Sequence, residues 1–159
     1  MLILEPGVVR SLEAHACSGY PNEVCGLLLG RVEGSDGHRL ALSAEAAANR
    51  ERQRPQQRYD LDPADYLRIE QLARARRMEV VGVYHSHPDH PCVPSEVDRL
   101  QARAIWQEAP SWSYLILQVT GGRLAARRSW ILRGGTFEEE TVRSSEEPLP
   151  ESSSQGRRR

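Results

Sequence analysis

The chain contains no lysine. All 21 basic residues are arginine, set against 22 Asp and Glu, and the formal net charge is −1 over 159 residues. A chain this close to neutrality carries no basic field for nucleic acid. No run of 18 or more apolar residues occurs, so no segment is read as crossing a membrane. The opening MLILEPGVV has neither a charged n-region nor a long apolar h-region, so no secretory signal is expected and the expected location is cytoplasmic. Cysteine is scarce: Cys17, Cys25 and Cys92 form no C-x-x-C pair. An odd count without framework spacing argues against a disulfide scaffold or a thiolate metal site, and fits a reducing compartment.

What is present fits one compact domain with its own core. The segment from Pro6 to Tyr20 predicts a helix, with Pro6 in the first turn and Val9, Leu12 and Ala16 on one side. VCGLLLGRV predicts a buried strand, closed by the turn EGSDGH, and RLALSAEAAAN predicts a second strand. RERQRPQQRY reads as a polar surface loop. LDPADYLRIEQLARARR predicts a helix capped by Asp62, with Pro63 first and Asp65 in its opening turn. EVVGVYHSH, SYLILQVT and RLAARRSWIL predict three more strands, the last two joined by the hairpin pair Gly121-Gly122. A third helix is expected from about Ser95 to Gln107. The pattern is mixed α/β, one sheet with helices against it. The folded domain is expected to span 1–135, and the polar, Pro/Ser-rich remainder, 136–159, to be a disordered tail.

The chemistry concentrates in VVGVYHSHPDHPCVPSEVDRL. Residues i and i+2 of a strand point to the same side, so His85 and His87 can turn both imidazoles to one point. Imidazole nitrogens at about 2.0–2.1 Å suit zinc. Pro88 ends the ladder, and Asp98 returns from the start of the next helix. Ser95 to Asp98 also reads as a plain capping box, and one oxygen cannot both cap and ligate. Glu23 stands just before an apolar strand, where it is either a base for hydrolysis or a surface carboxylate. Cys92, between His87 and Asp98, either sees the substrate or blocks the metal, or simply packs. Cys25 reads as strand packing, His15 as helix surface, His38 as a turn residue and His90 as an exposed loop residue. The H-E-x-x-H of helix-borne zinc proteases and the H-x-E with P-C-x-x-C of zinc deaminases are both absent.

Taken together, Glu23 and His85-Ser86-His87-Pro88, six residues, Ser95, two residues, Asp98 resemble the JAMM (MPN+) metalloprotease family. YPNEVCGLLLG and YDLDPADYLRIEQ resemble flanking segments of its bacterial members, and the likeness spans roughly Leu2 to Leu132. The resemblance implies the MPN fold, a curved mixed sheet packed with helices and similar to cytidine deaminases. It implies one zinc held by His85, His87 and Asp98 with water as fourth ligand, Glu23 as general acid/base, and Ser95 as oxyanion donor. Ser86, Pro88, Cys25 and Gly26 would shape the site. It also implies hydrolysis of the bond after the terminal Gly-Gly of a ubiquitin-like β-grasp sulfur carrier. The alternatives are a deubiquitinase-like isopeptidase, a peptidoglycan or phage-tail-type peptidase, and a metal-free MPN scaffold. A Gly-Gly tail is expected to add along a strand edge beside the zinc.

Overall fold

The computed structural model describes residues 1–105 and 111–147. Eight strands and three helices follow in the order β1 (Leu2–Leu4), α1 (Pro6–Gly19), β2 (Cys25–Glu33), β3 (His38–Ala47), α2 (Pro63–Ala75), β4 (Glu79–Pro88), α3 (Glu96–Ile105), β5 (Ser113–Thr120), β6 (Arg123–Arg133), β7 (Thr136–Glu140) and β8 (Val142–Ser144). The local signals act where expected. Pro63 opens α2, and Asp62 Oδ1 accepts from the amides of Ala64 (2.7 Å) and Asp65 (3.3 Å). Gly121 and Gly122, at φ 55 and 81, supply the left-handed turn between β5 and β6.

The strands form one mixed sheet in the order β7-β6-β5-β4-β2-β3-β1-β8. A single residue, Thr141, separates β7 from β8, yet these are the two outermost strands. Laid flat, eight strands at about 4.8 Å spacing would hold those edges roughly 34 Å apart. The sheet must therefore curl until its edges meet. A buried polar knot ties the seam. Glu140 accepts from Ser113 Oγ (2.6 Å) and Ser129 Oγ (2.8 Å), and pairs with Arg39 (2.5 Å) and the N-terminal amine (3.1 Å). Four carboxylate contacts satisfy a charge that burial alone would penalise.

Two apolar layers flank the sheet. On one face α1 seats Val8, Leu12 and Ala16 against Leu2, Leu4, Leu28, Leu115 and Leu117. On the other, Ile69 and Ala73 of α2 and Ala102 of α3 pack on Leu27, Leu29, Val83 and Leu132. Gly26 lies where β2 passes close to its neighbours: a Cβ there would stand 2.3 Å from the Glu45 carbonyl oxygen and 2.5 Å from the Tyr84 ring. Overpacking of this kind costs about 1–3 kcal/mol. Gly26→Ala is accordingly expected to lower the unfolding free energy by that amount in denaturant titration, and an unchanged midpoint would show that β2 and β3 separate freely.

The sheet runs past the domain end expected at residue 135. Thr136–Glu140 and Val142–Ser144 are strands, not tail, because β7 pairs with β6 and β8 pairs with β1. The remainder of the expected tail, 148–159, lies outside the described residues, as do the last two residues of the expected third helix.

Candidate metal centre

Strand β4 lies in the middle of the sheet, antiparallel to β2 and parallel to β5, with His85 level with Cys25 on one side and Ile116 on the other. Strand alternation sends Val83, His85 and His87 to the α2–α3 face, and Tyr84 to the α1 face. The two Nε2 atoms approach to 3.0 Å. Asp98 arrives from the first turn of α3, with Oδ1 3.3 Å from His85 Nε2 and Oδ2 3.6 Å from His87 Nε2. All three side chains are buried.

The helix cap and the site share Asp98 without competing for one atom. Oδ2 accepts from the Ser95 amide (2.6 Å) and the Ser95 hydroxyl (2.7 Å), while the Asp98 amide donates to Ser95 Oγ (3.1 Å). Oδ1 is left to face His85. The Ser95 hydroxyl proton is thus committed to Asp98, not aimed at open space.

His87 Nδ1 lies 2.6 Å from the Pro91 carbonyl. A carbonyl only accepts, so Nδ1 carries the proton and Nε2 presents its lone pair. Two imidazole nitrogens facing each other at 3.0 Å need a proton or a shared cation between them. Two imidazoles and a carboxylate, all within 4.8 Å, make a donor set that fits a divalent ion of the zinc type, three donors of the four that a tetrahedral shell takes. Burial pushes the Asp98 carboxyl up, yet contacts from His85 and His87 outweigh it and hold the group below the usual carboxylate range. Burial lowers the His85 pKa, which keeps that imidazole neutral, as a ligand must be.

Glu23 reaches the same place from the lead-in to the neighbouring strand β2. Its amide donates to the Pro55 carbonyl (2.6 Å), and Asn49 Nδ2 donates to its carbonyl (3.0 Å). Next to it, the Val24 amide donates to Ser86 Oγ (2.9 Å) and the Ser86 amide to the Val24 carbonyl (3.0 Å). Ser86 therefore clamps the lead-in of β2 to β4 and fixes where Glu23 stands. The Glu23 carboxylate is 3% exposed and lies within 4.8 Å of donor atoms on His87 and His90. It is not the surface carboxylate that spacing alone favours.

Burial, and then repulsion from Asp98, push the Glu23 carboxyl up to about 8. Between about 4.5 and about 8 the folded metal-free chain keeps a proton that the unfolded chain has released. Its stability therefore falls as pH rises through that window, by on the order of a few kcal/mol. His85, with a lowered pKa, contributes the opposite slope below the usual imidazole value. The difference between wild type and Glu23→Gln isolates the carboxyl: chelator-treated wild type is expected to weaken with pH where the variant does not. Parallel denaturation curves for the two would show that Glu23 ionises freely.

Several residues near the site were not legible in the sequence. Tyr59 stacks on His85 at 4.5 Å between centroids and walls it from solvent; its only sequence signal is its place before the α2 cap. His90 is not simply an exposed loop residue, since its ring lies on His87 at 4.1 Å. The turn that does this has Asp89 at φ 57, a backbone state Asp tolerates. His15 is half-buried, with Nδ1 2.8 Å from the Tyr84 hydroxyl. Cys92 does not face the metal donors: it is buried, and Sγ lies 3.5 Å from the carbonyls of Ile116 and Ala126. Cys25 is packing, as expected, with burial pushing its thiol up to about 12.

Comparison with known proteins shows the family. The family model described as prokaryotic homologs of the JAB domain matches residues 5–133. The chain is 34% identical over 136 residues to desampylase of Haloferax volcanii, covering 83% of this chain and 88% of that one. It is 27% identical to the CysO-cysteine peptidase of Mycobacterium tuberculosis over 142 residues, 89% of this chain and 90% of the relative. A Desulfitobacterium hafniense protein of known solution structure superposes with a TM-score of 0.77 at 30% identity, covering 92% of this chain and 94% of that one. The matched span runs through Glu23, both histidines and Asp98, and with it this chain belongs to the prokaryotic JAB-domain family.

Proposed function

We propose that the chain is a zinc-dependent peptidase that hydrolyses the bond after the C-terminal Gly-Gly of a ubiquitin-like β-grasp sulfur carrier. The observation that carries the reading is the meeting of His85, His87 and Asp98 at one point, with the Glu23 carboxylate beside them. The names of two relatives, desampylase and CysO-cysteine peptidase, support a substrate of the ubiquitin-like carrier type.

His85 Nε2, His87 Nε2 and Asp98 Oδ1 would hold the zinc. A zinc ion so held supplies a polarised water and Lewis-acid pull on the scissile carbonyl. Glu23 takes a proton from that water at its carboxylate and returns it to the leaving amine. Ser95 donates its hydroxyl proton to the developing oxyanion, releasing Asp98 Oδ2 as it does so. Tyr59 and the loop carrying Pro55 exclude bulk water from the buried side. Over Gly82–His85, β4 is paired on both sides, so the tail has no free edge there. It enters instead across the strand ends. A groove of about 440 Å³ lined by Asn22, Glu23, Asn49, Glu51, Arg52 and Pro55 opens beside the base and takes the leaving group.

The test is mass spectrometry of a carrier bearing one extra residue after Gly-Gly, incubated with zinc-loaded protein. Loss of that single residue is expected. Cleavage only of lysine-linked protein conjugates would move the chain to the isopeptidase reading. No cleavage of either substrate would leave a scaffold.

A further inference from the structure

A second set of donors stands against the first. Glu23, His87 and His90 bring one carboxylate oxygen and two imidazole nitrogens within 4.8 Å of one another. His90 Nε2 lies 3.6 Å from Glu23 Oε1, and it is buried with no hydrogen-bond partner. Two ligands at about 2.0–2.1 Å from a tetrahedral ion lie roughly 3.3–3.4 Å apart, so this separation is close to the span of one cation.

The turn that presents His90 is pinned from three sides. The Asp89 carboxylate accepts from the Tyr20 hydroxyl (2.5 Å) and the Gly121 amide (3.0 Å), and the Asp89 amide donates to the Val119 carbonyl (2.7 Å). His90 is therefore held over Glu23, not left to swing in solvent. Among the described residues, His90 is also the one ion-pair partner recorded for Glu23. His87 cannot complete both sets at once, because its Nδ1 is held by the Pro91 carbonyl and only Nε2 is free.

We propose that Glu23 and His90 form a second, weaker divalent-cation seat beside the His85–His87–Asp98 seat. Zinc bound there takes the Glu23 carboxylate as a ligand and removes it from proton transfer. Paired metals about 3.5–4 Å apart are common in hydrolytic sites, so a filled first seat leaves the second open to an ion at higher concentration. The second is weaker because it offers two protein donors instead of three, one of them on a partly exposed ring. Only the inhibition rests on the zinc-peptidase reading; the seat itself does not.

The experiment is a ZnCl2 titration of chelator-stripped full-length protein, counting bound zinc by calorimetry and by metal analysis after desalting. Wild type is expected to take one tight and one weaker equivalent, and the second should coincide with loss of turnover. His90→Ala keeps the tight equivalent and loses the weaker one, and its inhibitory zinc concentration rises at least tenfold. His90→Gln does the same while filling the space. His85→Ala does the reverse, losing the tight equivalent and keeping the weaker. Wild type saturating at one equivalent, or His90→Ala binding the second as well as wild type does, overturns the seat. A weak equivalent lost with His90 in a protein that never shows the tight one would sink the zinc-peptidase reading and leave this seat standing. Binding of no zinc at all would overturn both.

Discussion

Glu23→Gln is expected to bind one tight equivalent of zinc and to lose about 10²–10⁴-fold in kcat, the usual contribution of a positioned general acid/base. The amide keeps the shape of the side chain, and the backbone bonds that fix residue 23, to Pro55 and from Asn49, do not involve the carboxylate. The substitution also removes a carboxyl whose ionisation the metal-free fold resists, so loss of activity is not expected to come from unfolding. Glu23 is not one of the three donors that meet at His85, which is why the tight equivalent survives. Steady-state kinetics with zinc analysis of the same sample decides the matter. A variant that turns over normally would place the base elsewhere.

His87→Ala is expected to lose the tight zinc and all measurable turnover together. Removing a partner that only orients a ligand already costs 10–100-fold in metal affinity, and His87 is proposed as a ligand itself. Its loss also frees the Pro91 carbonyl that the ring now occupies through Nδ1, so the loop back to α3 loosens. The control is chelated wild type. If both proteins unfold at the same denaturant concentration, the defect lies in binding and not in the fold. Zinc retained at wild-type affinity by His87→Ala would mean that His85 and Asp98 find their third donor elsewhere, with His90 the nearest candidate.

These side chains were legible to different degrees in the sequence, for physical reasons. The alternation rule placed His85 and His87 on one face because β4 is regular through that point. It could not place Glu23, which meets them through the pairing of β2 with β4 and the Ser86 clamp. Asp98 posed a choice between cap and ligand, and the carboxylate leaves both open by capping through Oδ2 while Oδ1 faces His85. His90 was misjudged and Cys92 left open between the site and packing, because spacing says nothing of the direction a loop takes after a left-handed Asp89. The strands β1, β7 and β8 were missed because Leu2–Leu4 and Val142–Ser144 are three residues each and Thr136–Glu140 is largely acidic. Their signal was weak but present in the second glycine pair, Gly134 and Gly135 at φ 54 and 81, which repeats the turn chemistry of Gly121 and Gly122.

The Ser95–Asp98 box has a dynamic consequence. One carboxylate closes the first turn of α3 and faces the two imidazoles, so the start of that helix and the metal donors share a single anchor. Whatever steadies the carboxylate slows the opening of the turn, and whatever draws the Ser95 proton away speeds it. Amide exchange at Ser95 and Asp98 then becomes a local gauge of occupancy, slowing when metal is loaded and quickening when chelator is added, while the sheet core stays protected throughout.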